Sequence, residues 1–170
     1  MTHDGDRYDR LPPTPAERIR EDQPSREGVL MYFADRFGMP PATFAGVSFW
    51  EKGRDKVWAF HGHHSSPLSV ETLGMHLLRT DGRHWKPTTD GMQRFGRSAT
   101  RNVVALDRCM CRRFWQGEDV AIDQDLDADP GYIVVANELA GTVEPLGVGL
   151  YLRGTIRSVV PKGRQRTIYP

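Results

Sequence analysis

From residue 118 to residue 160 the chain consists of short runs rich in β-branched residues, "EDVAI", "GYIVVAN", "PLGVGLYL" and "GTIRSVV", separated by Pro, Gly and Asp. Val and Ile lose rotamer freedom on a helix and pack well on a pleated surface, and runs this short cannot complete a stable helix. The second half of the chain is therefore predicted to be strands of a small mixed or barrel-like sheet. An all-helical fold is excluded.

Helical signals lie earlier. "SREGVLMYFADRFG" places Val29, Leu30, Phe33 and Phe37 at helical spacing, with Ser25 as N-cap, Gly38 as C-cap and Pro40 as a stop. "KVWAFH" at 56–61 predicts a strand, and "GMHLLRTDGRHWKP" predicts a hairpin about Asp81 and Gly82. A short helix is expected from Thr88 or Thr89, then a strand at "NVVAL", then a helix over "RCMCRRFWQ" capped by Asp107 and ended by Gly117. The fold class is thus α+β. Residues 1–24, with "LPPTPAERIREDQP", are rich in Pro and charge and are expected to form a flexible arm before one domain over 25–170.

Composition narrows the class of function. At 170 residues, with 38% hydrophobic and 26% charged residues, the chain has the make-up of a globular domain, and no apolar run approaches membrane-helix length. "MTHDGDRYDR" lacks the apolar stretch of a secretory signal, so the cytoplasm is the expected location. Cys109 and Cys111, one residue apart on a predicted helix, point apart and are expected to be reduced thiols.

The net charge of +1 conceals a partition. Residues 79–113 carry 9 basic and 3 acidic groups, residues 114–152 carry 8 acidic groups and no Lys or Arg, and residues 153–170 carry 5 basic groups and no acid. Segregation of this kind favours an anionic partner on one face.

"RRFWQGEDV", "GYIVV" and "PLGVGLYLRGTIRSVVPKGR", in that order and spacing, resemble the C-terminal PUA-like RNA-binding domain of the Sun-type RNA 5-methylcytosine methyltransferases. The matching positions are Trp115, Gln116, Gly117 and Glu118; Gly131 to Val135; and Leu146, Gly147, Gly149, Gly154, Ile156, Pro161, Lys162, Gly163 and Arg164. Trp85, Lys86, Pro87 and Thr88 stand where that family has a "G-x-F-K-P-(S/T)" segment. The resemblance covers about residues 74–164. It implies a PUA-like fold and an RNA partner, ribosomal or transfer RNA, with an RNA-modifying enzyme or a ribosome-assembly factor as a further partner. Only about 70 residues precede the match and they hold no glycine-rich βα turn, so the methyltransferase domain is absent from the chain as read and a binding module without catalysis or cofactor is expected.

Two basic groups are the expected RNA contacts. The first is Arg153, Arg157, Lys162, Arg164 and Arg166, with Tyr151, Trp85 and Lys86 beside it; the second is Arg94, Arg97, Arg101, Arg108, Arg112 and Arg113. Guanidinium groups bind phosphates bidentately and stack on unpaired bases, and Tyr151 and Trp85 offer stacking surfaces. In the strand "GTIRSVV", Arg157 must point away from Ile156. The bland alternatives are a basic edge that discourages strand pairing, and arginines paired with the acidic segment.

Other motifs fail on spacing. "HGHH" supplies His61, His63 and His64, but neither a CxxC nor an HxxxH pattern accompanies them, so no metal site is assigned. Asp123, Asp125, Asp127 and Asp129 alternate like a calcium loop, yet Ala128 and Val134 occupy the positions that need Gly and Glu. No nucleophile and base motif stands out. Two competing readings remain open: an adaptor subunit that positions an RNA-modifying enzyme, and a metal-dependent enzyme using "HGHH".

Overall fold

A computed structural model of the chain describes residues 6–122 and 130–165. Asp123, Asp125, Asp127, Asp129 and Arg166 lie outside the described residues. The fold is mixed α+β, with a curled, half-barrel-like sheet and short helices, consistent with a PUA-like architecture. No helix among the described residues is long and apolar enough to cross a membrane. The chain divides into two compact units, Met1–Lys86 and Pro87–Pro170.

In the first unit, strands β1 (Arg7–Arg10), β2 (Val47–Glu51), β3 (Lys56–His61), β4 (Leu68–Ser69), β5 (Met75–Arg79) and β6 (Lys86–Pro87) form a sheet in the order β4-β1-β2-β3-β5-β6. β2 is buried at all five positions because both its faces are covered. Phe49 meets Phe44, which meets Phe33, on one side, while Trp50 joins the Tyr8 and Leu73 cluster. A strand covered on both faces loses the polar and apolar alternation that marks a half-exposed one. That is why "VSFWE" did not stand out in the sequence. A register shift between Val57 and Trp58 where β3 meets β5 is a bulge of the kind that bends a sheet.

Helix α1 (Arg26–Phe37) forms as its sequence requires: the Ser25 hydroxyl accepts the Gly28 N–H, Gly38 ends the helix in the left-handed region, and Val29, Phe33 and Phe37 are buried.

Residues 6–24, expected as a loose arm, are held within this unit. Tyr8 is 0% exposed; its ring meets Trp58 edge-on at 5.6 Å and its hydroxyl accepts the Leu73 N–H. β1 pairs antiparallel with both β2 and β4. The Pro12 and Pro13 carbonyls accept the Arg26 and Glu27 N–H groups, so prolines that read as disorder supply the acceptors that cap α1. Arg20 pairs with the buried carboxylate of Glu51, which Gln23 also contacts, and Glu51 in turn raises the guanidinium pKa. Composition missed this because the segment buries few side chains. Removing the cation should show how much it holds: Arg20→Ala strands a buried carboxylate and is expected to cost about 3 kcal/mol in thermal unfolding.

The second unit contains β7 (Val103–Leu106), β8 (Val120–Ala121), β9 (Gly131–Leu139), β10 (Thr142–Leu152) and β11 (Thr155–Ser158) in the order β7-β9-β10-β11-β8, with β7 parallel to β9 and the remaining pairs antiparallel. Helix α2 (Thr89–Phe95) is capped by Thr88, and α3 (Arg108–Trp115) by Asp107. Phe114 and Cys111 of α3 pack into a cluster with Val104, Ile133, Val135 and Ile156. Cys111 is buried, and burial, with the Asp107 carboxylate adding to it, pushes its thiol up to about 11, whereas Cys109 is exposed. Thiolate at Cys111 is thus scarce below that pH, and stability held by the neutral thiol declines as pH rises from about 9 toward 11. Iodoacetamide at pH 8 should label Cys109 and spare Cys111, as read by peptide mass spectrometry.

Candidate functional site

The last hairpin of the second unit organises the surface of interest. β10 and β11 join at Arg153 and Gly154, whose φ values of 49° and 79° give the doubly left-handed turn suited to a two-residue hairpin loop. Asn and Gly fill such positions readily. An arginine there accepts backbone strain while being held out at the exposed tip.

The turn sets Leu152 opposite Thr155 and Leu150 opposite Arg157, and β9 sets Tyr132 opposite Leu150. Residues directly opposite across a ladder project from the same face. One row therefore runs Arg157, Leu150, Tyr132, with Arg157 exposed and the other two half-buried, and beside it stand Thr155 and Leu152, the latter 45% exposed. Arg157 does point away from the buried Ile156.

Tyr151 pairs with Ile156 and packs against the buried cluster on the opposite face. The aromatic that shares the Arg157 face is Tyr132, which was not among the expected contacts. Its signal was in the sequence, since alternation in "GYIVV" puts Tyr132 opposite in sense to Ile133. Only the β9–β10 register could join it to Arg157.

The other expected residues are dispersed. Arg164 is clamped by both carboxylate oxygens of Asp90 at 2.6 and 3.1 Å, which raises its pKa and ties the turn at Lys162–Arg164 to the start of α2. Arg97 grips Glu144 at 2.6 and 3.0 Å, and Arg113 holds Glu118 at 2.8 Å. For Arg97 and Arg113 the alternative of pairing with the acidic segment is the one realised. Arg94, Arg101 and Lys162 are exposed. Arg112 lines a shallow groove of about 330 Å³ with Arg108, Cys111, Trp115 and Leu146, four of the five coming from one face of α3. Arg97 meets β10 at Glu144 and Arg157 meets it at Leu150, ~20 Å apart along the strand, while Arg164 reaches Asp90 on the helix that carries Arg94.

Trp85 and Lys86 belong to the first unit, where the Trp85 ring lies 5.4 Å from Tyr32 and its carbonyl accepts the Tyr32 hydroxyl.

β3 ends at His61, so His63 does not share a strand face with it; His64 leans on Phe60 at 5.1 Å. Among the described residues no group of three or more His, Cys, Asp or Glu side chains could hold a metal ion.

Comparison with known proteins gives two findings. Residues 1–74 match the model of a family of unknown function (DUF7122). Over 140 residues, 80% of this chain, the sequence is 26% identical to the ribosomal RNA small subunit methyltransferase F of Aeromonas salmonicida (strain A449). The match spans about a quarter of that protein's length, 27%.

Proposed function

We propose that this protein is an RNA-binding module of PUA-like type that performs no chemistry itself and acts in the cytoplasm beside an RNA-modifying enzyme. The observation that carries the reading is the Arg157, Leu150 and Tyr132 row at the hairpin end of one sheet face, whose next pair, Val148 and Val134, is buried, in a chain similar to part of a ribosomal RNA methyltransferase. A cation for phosphate, an apolar floor and an aromatic ring are the parts a sheet needs to hold unpaired bases. Ribosomal RNA is the ligand to test first, with transfer RNA next.

The carboxylates already on Arg97, Arg113 and Arg164 do not close those residues to phosphate, because exposed ion pairs contribute only about 0–1 kcal/mol. They lower the gain from each phosphate bound. The reading therefore rests on Arg153, Arg157 and Lys162, exposed side chains with no ion-pair partner among the described residues. An anisotropy titration with structured RNA, single-stranded RNA and duplex DNA over a salt series tests it. RNA preference with log affinity linear in log salt is expected; equal affinity for all three would overturn it.

Arg153 separates binding from folding. Arg153→Asn suits the left-handed turn and is expected to raise stability by about 1 kcal/mol while weakening RNA binding. A residue kept only for folding would show the opposite pattern. Thermal unfolding and the anisotropy titration, run on the same preparation, distinguish the two.

A further inference from the structure

A second cationic site lies in the first unit, built from three separated segments. Arg10 ends β1, Arg26 opens α1 and His63 follows β3, and all three line one pocket of about 300 Å³ whose other walls include Leu11, Val47 and Phe49. No acidic side chain lines it among the described residues. Its size is at the lower end of small-ligand sites, which run from ~300 to ~1,000 Å³.

The arginines are held but not neutralised. The Arg26 guanidinium donates to the Val47 carbonyl at 2.6 Å and lies over the Phe49 ring at 4.9 Å, and its partial burial lowers its pKa. Arg10 donates to the His64 carbonyl at 3.2 Å and sits 5.9 Å from the centre of the Trp50 ring. Neither has a carboxylate partner among the described residues. Each of these hydrogen bonds fixes one nitrogen and leaves the rest of the donor fork free, and a half-buried cation without a counter-charge, as Arg26 is, is costly unless something anionic arrives.

The neighbouring groups are already engaged, which leaves recognition to these side chains. The Ser48 hydroxyl donates to the Gly62 carbonyl at 2.8 Å and accepts the Trp50 indole N–H at 2.8 Å, pinning the loop that carries His63. The first N–H groups of α1 go to Pro12, Pro13 and the Ser25 hydroxyl.

We infer that this pocket binds a phosphomonoester group through Arg10 and Arg26, with His63 at its edge and the apolar walls receiving the adjoining part of the ligand. The arginines reach the pocket from the two faces of β2, Arg10 beside Trp50 and Arg26 beside Phe49, and two positive charges match a dianion better than a singly charged carboxylate. A phosphomonoester could come from a free nucleotide or from the 5′-phosphorylated end of an RNA, and the pocket chemistry is the same for both.

Isothermal titration of the full chain with inorganic phosphate, adenosine 5′-monophosphate and uncharged adenosine tests the site, and a 5′-phosphorylated RNA oligomer against its 5′-hydroxyl twin separates the two sources. Phosphate or the nucleotide is expected to bind with Kd between ~1 µM and ~1 mM, adenosine not at all. Arg26→Gln and Arg10→Gln should each weaken binding by about tenfold or more, and Arg26→Lys should restore part of it. Should Arg26→Gln fail to fold by thermal unfolding, the exposed Arg10→Gln carries the test alone. Nucleotide binding with equal affinity for the two RNA oligomers assigns a free ligand; a preference for the phosphorylated oligomer assigns an RNA end. Absence of any response to phosphate, nucleotide or 5′-phosphorylation, or affinities unchanged in folded variants, overturns the proposal.

Discussion

Gly74→Ala is expected to destabilise the first unit by about 3 kcal/mol or more, lowering its melting temperature by roughly 12 °C or more in calorimetry. Gly74 has φ of 58°, and a Cβ there would stand 2.0 Å from the Ala59 carbonyl oxygen. The left-handed conformation alone costs ~1–2 kcal/mol for a side chain. The remainder is steric, and it cannot be relieved by rotating a side chain, because the obstruction is backbone of β3 at the point where Ala59 pairs with Met75 of β5. Gly82 is the control: its φ is 88° but nothing lies within 4 Å of its Cβ position, so Gly82→Ala should show only the conformational part, about 1 kcal/mol. Equal effects at the two positions would mean that the β3–β5 junction yields to the added methyl.

Arg157→Ala is expected to lower RNA affinity about tenfold or more, and to make the salt dependence shallower by ~0.7–0.9 in slope for each phosphate no longer neutralised. Its exposed side chain makes no ion pair among the described residues, so its removal should leave thermal unfolding almost unchanged. Arg164→Ala makes the contrasting case: it frees Asp90 and the turn at Lys162–Arg164, so its effect should be smaller on affinity than that of Arg157. Tyrosines on the two faces provide a second contrast. Tyr132→Leu should weaken RNA binding by about 1–3 kcal/mol, while Tyr151→Leu should act through packing against the buried cluster and lower stability first. If Tyr151 proves the more important for affinity, the face assigned to RNA is the wrong one.

Caps and turns were legible from residues alone. Ser25, Thr88 and Asp107 each accept the backbone N–H that their side chains suggested, and Gly38 closes α1 in the left-handed region, because these interactions span three or four residues of chain. The strands of the second unit and the exposure of Arg157 were legible for the same reason, as period-two alternation is local. β2 was not legible, since its burial on both faces depends on α1 and β1 arriving from elsewhere. Nor was the role of residues 6–24, whose Tyr8 and Leu11 carry too little apolar surface to announce a core but find partners about 40 to 65 residues away.

The site followed the same division. Composition and order along the chain determined that positive charge gathers in two segments and that the last hairpin presents Arg153 and Arg157 outward. Tertiary structure alone decided that Tyr132 joins Arg157 while Tyr151 does not, that Arg97, Arg113 and Arg164 already hold carboxylates, and that Arg10 and Arg26 line one pocket with no acid among the described residues. Propensity and capping energies act over a few residues, and a sequence records them directly. Strand register and ion pairing join residues far apart in the chain through distances that exist only once the sheets have closed.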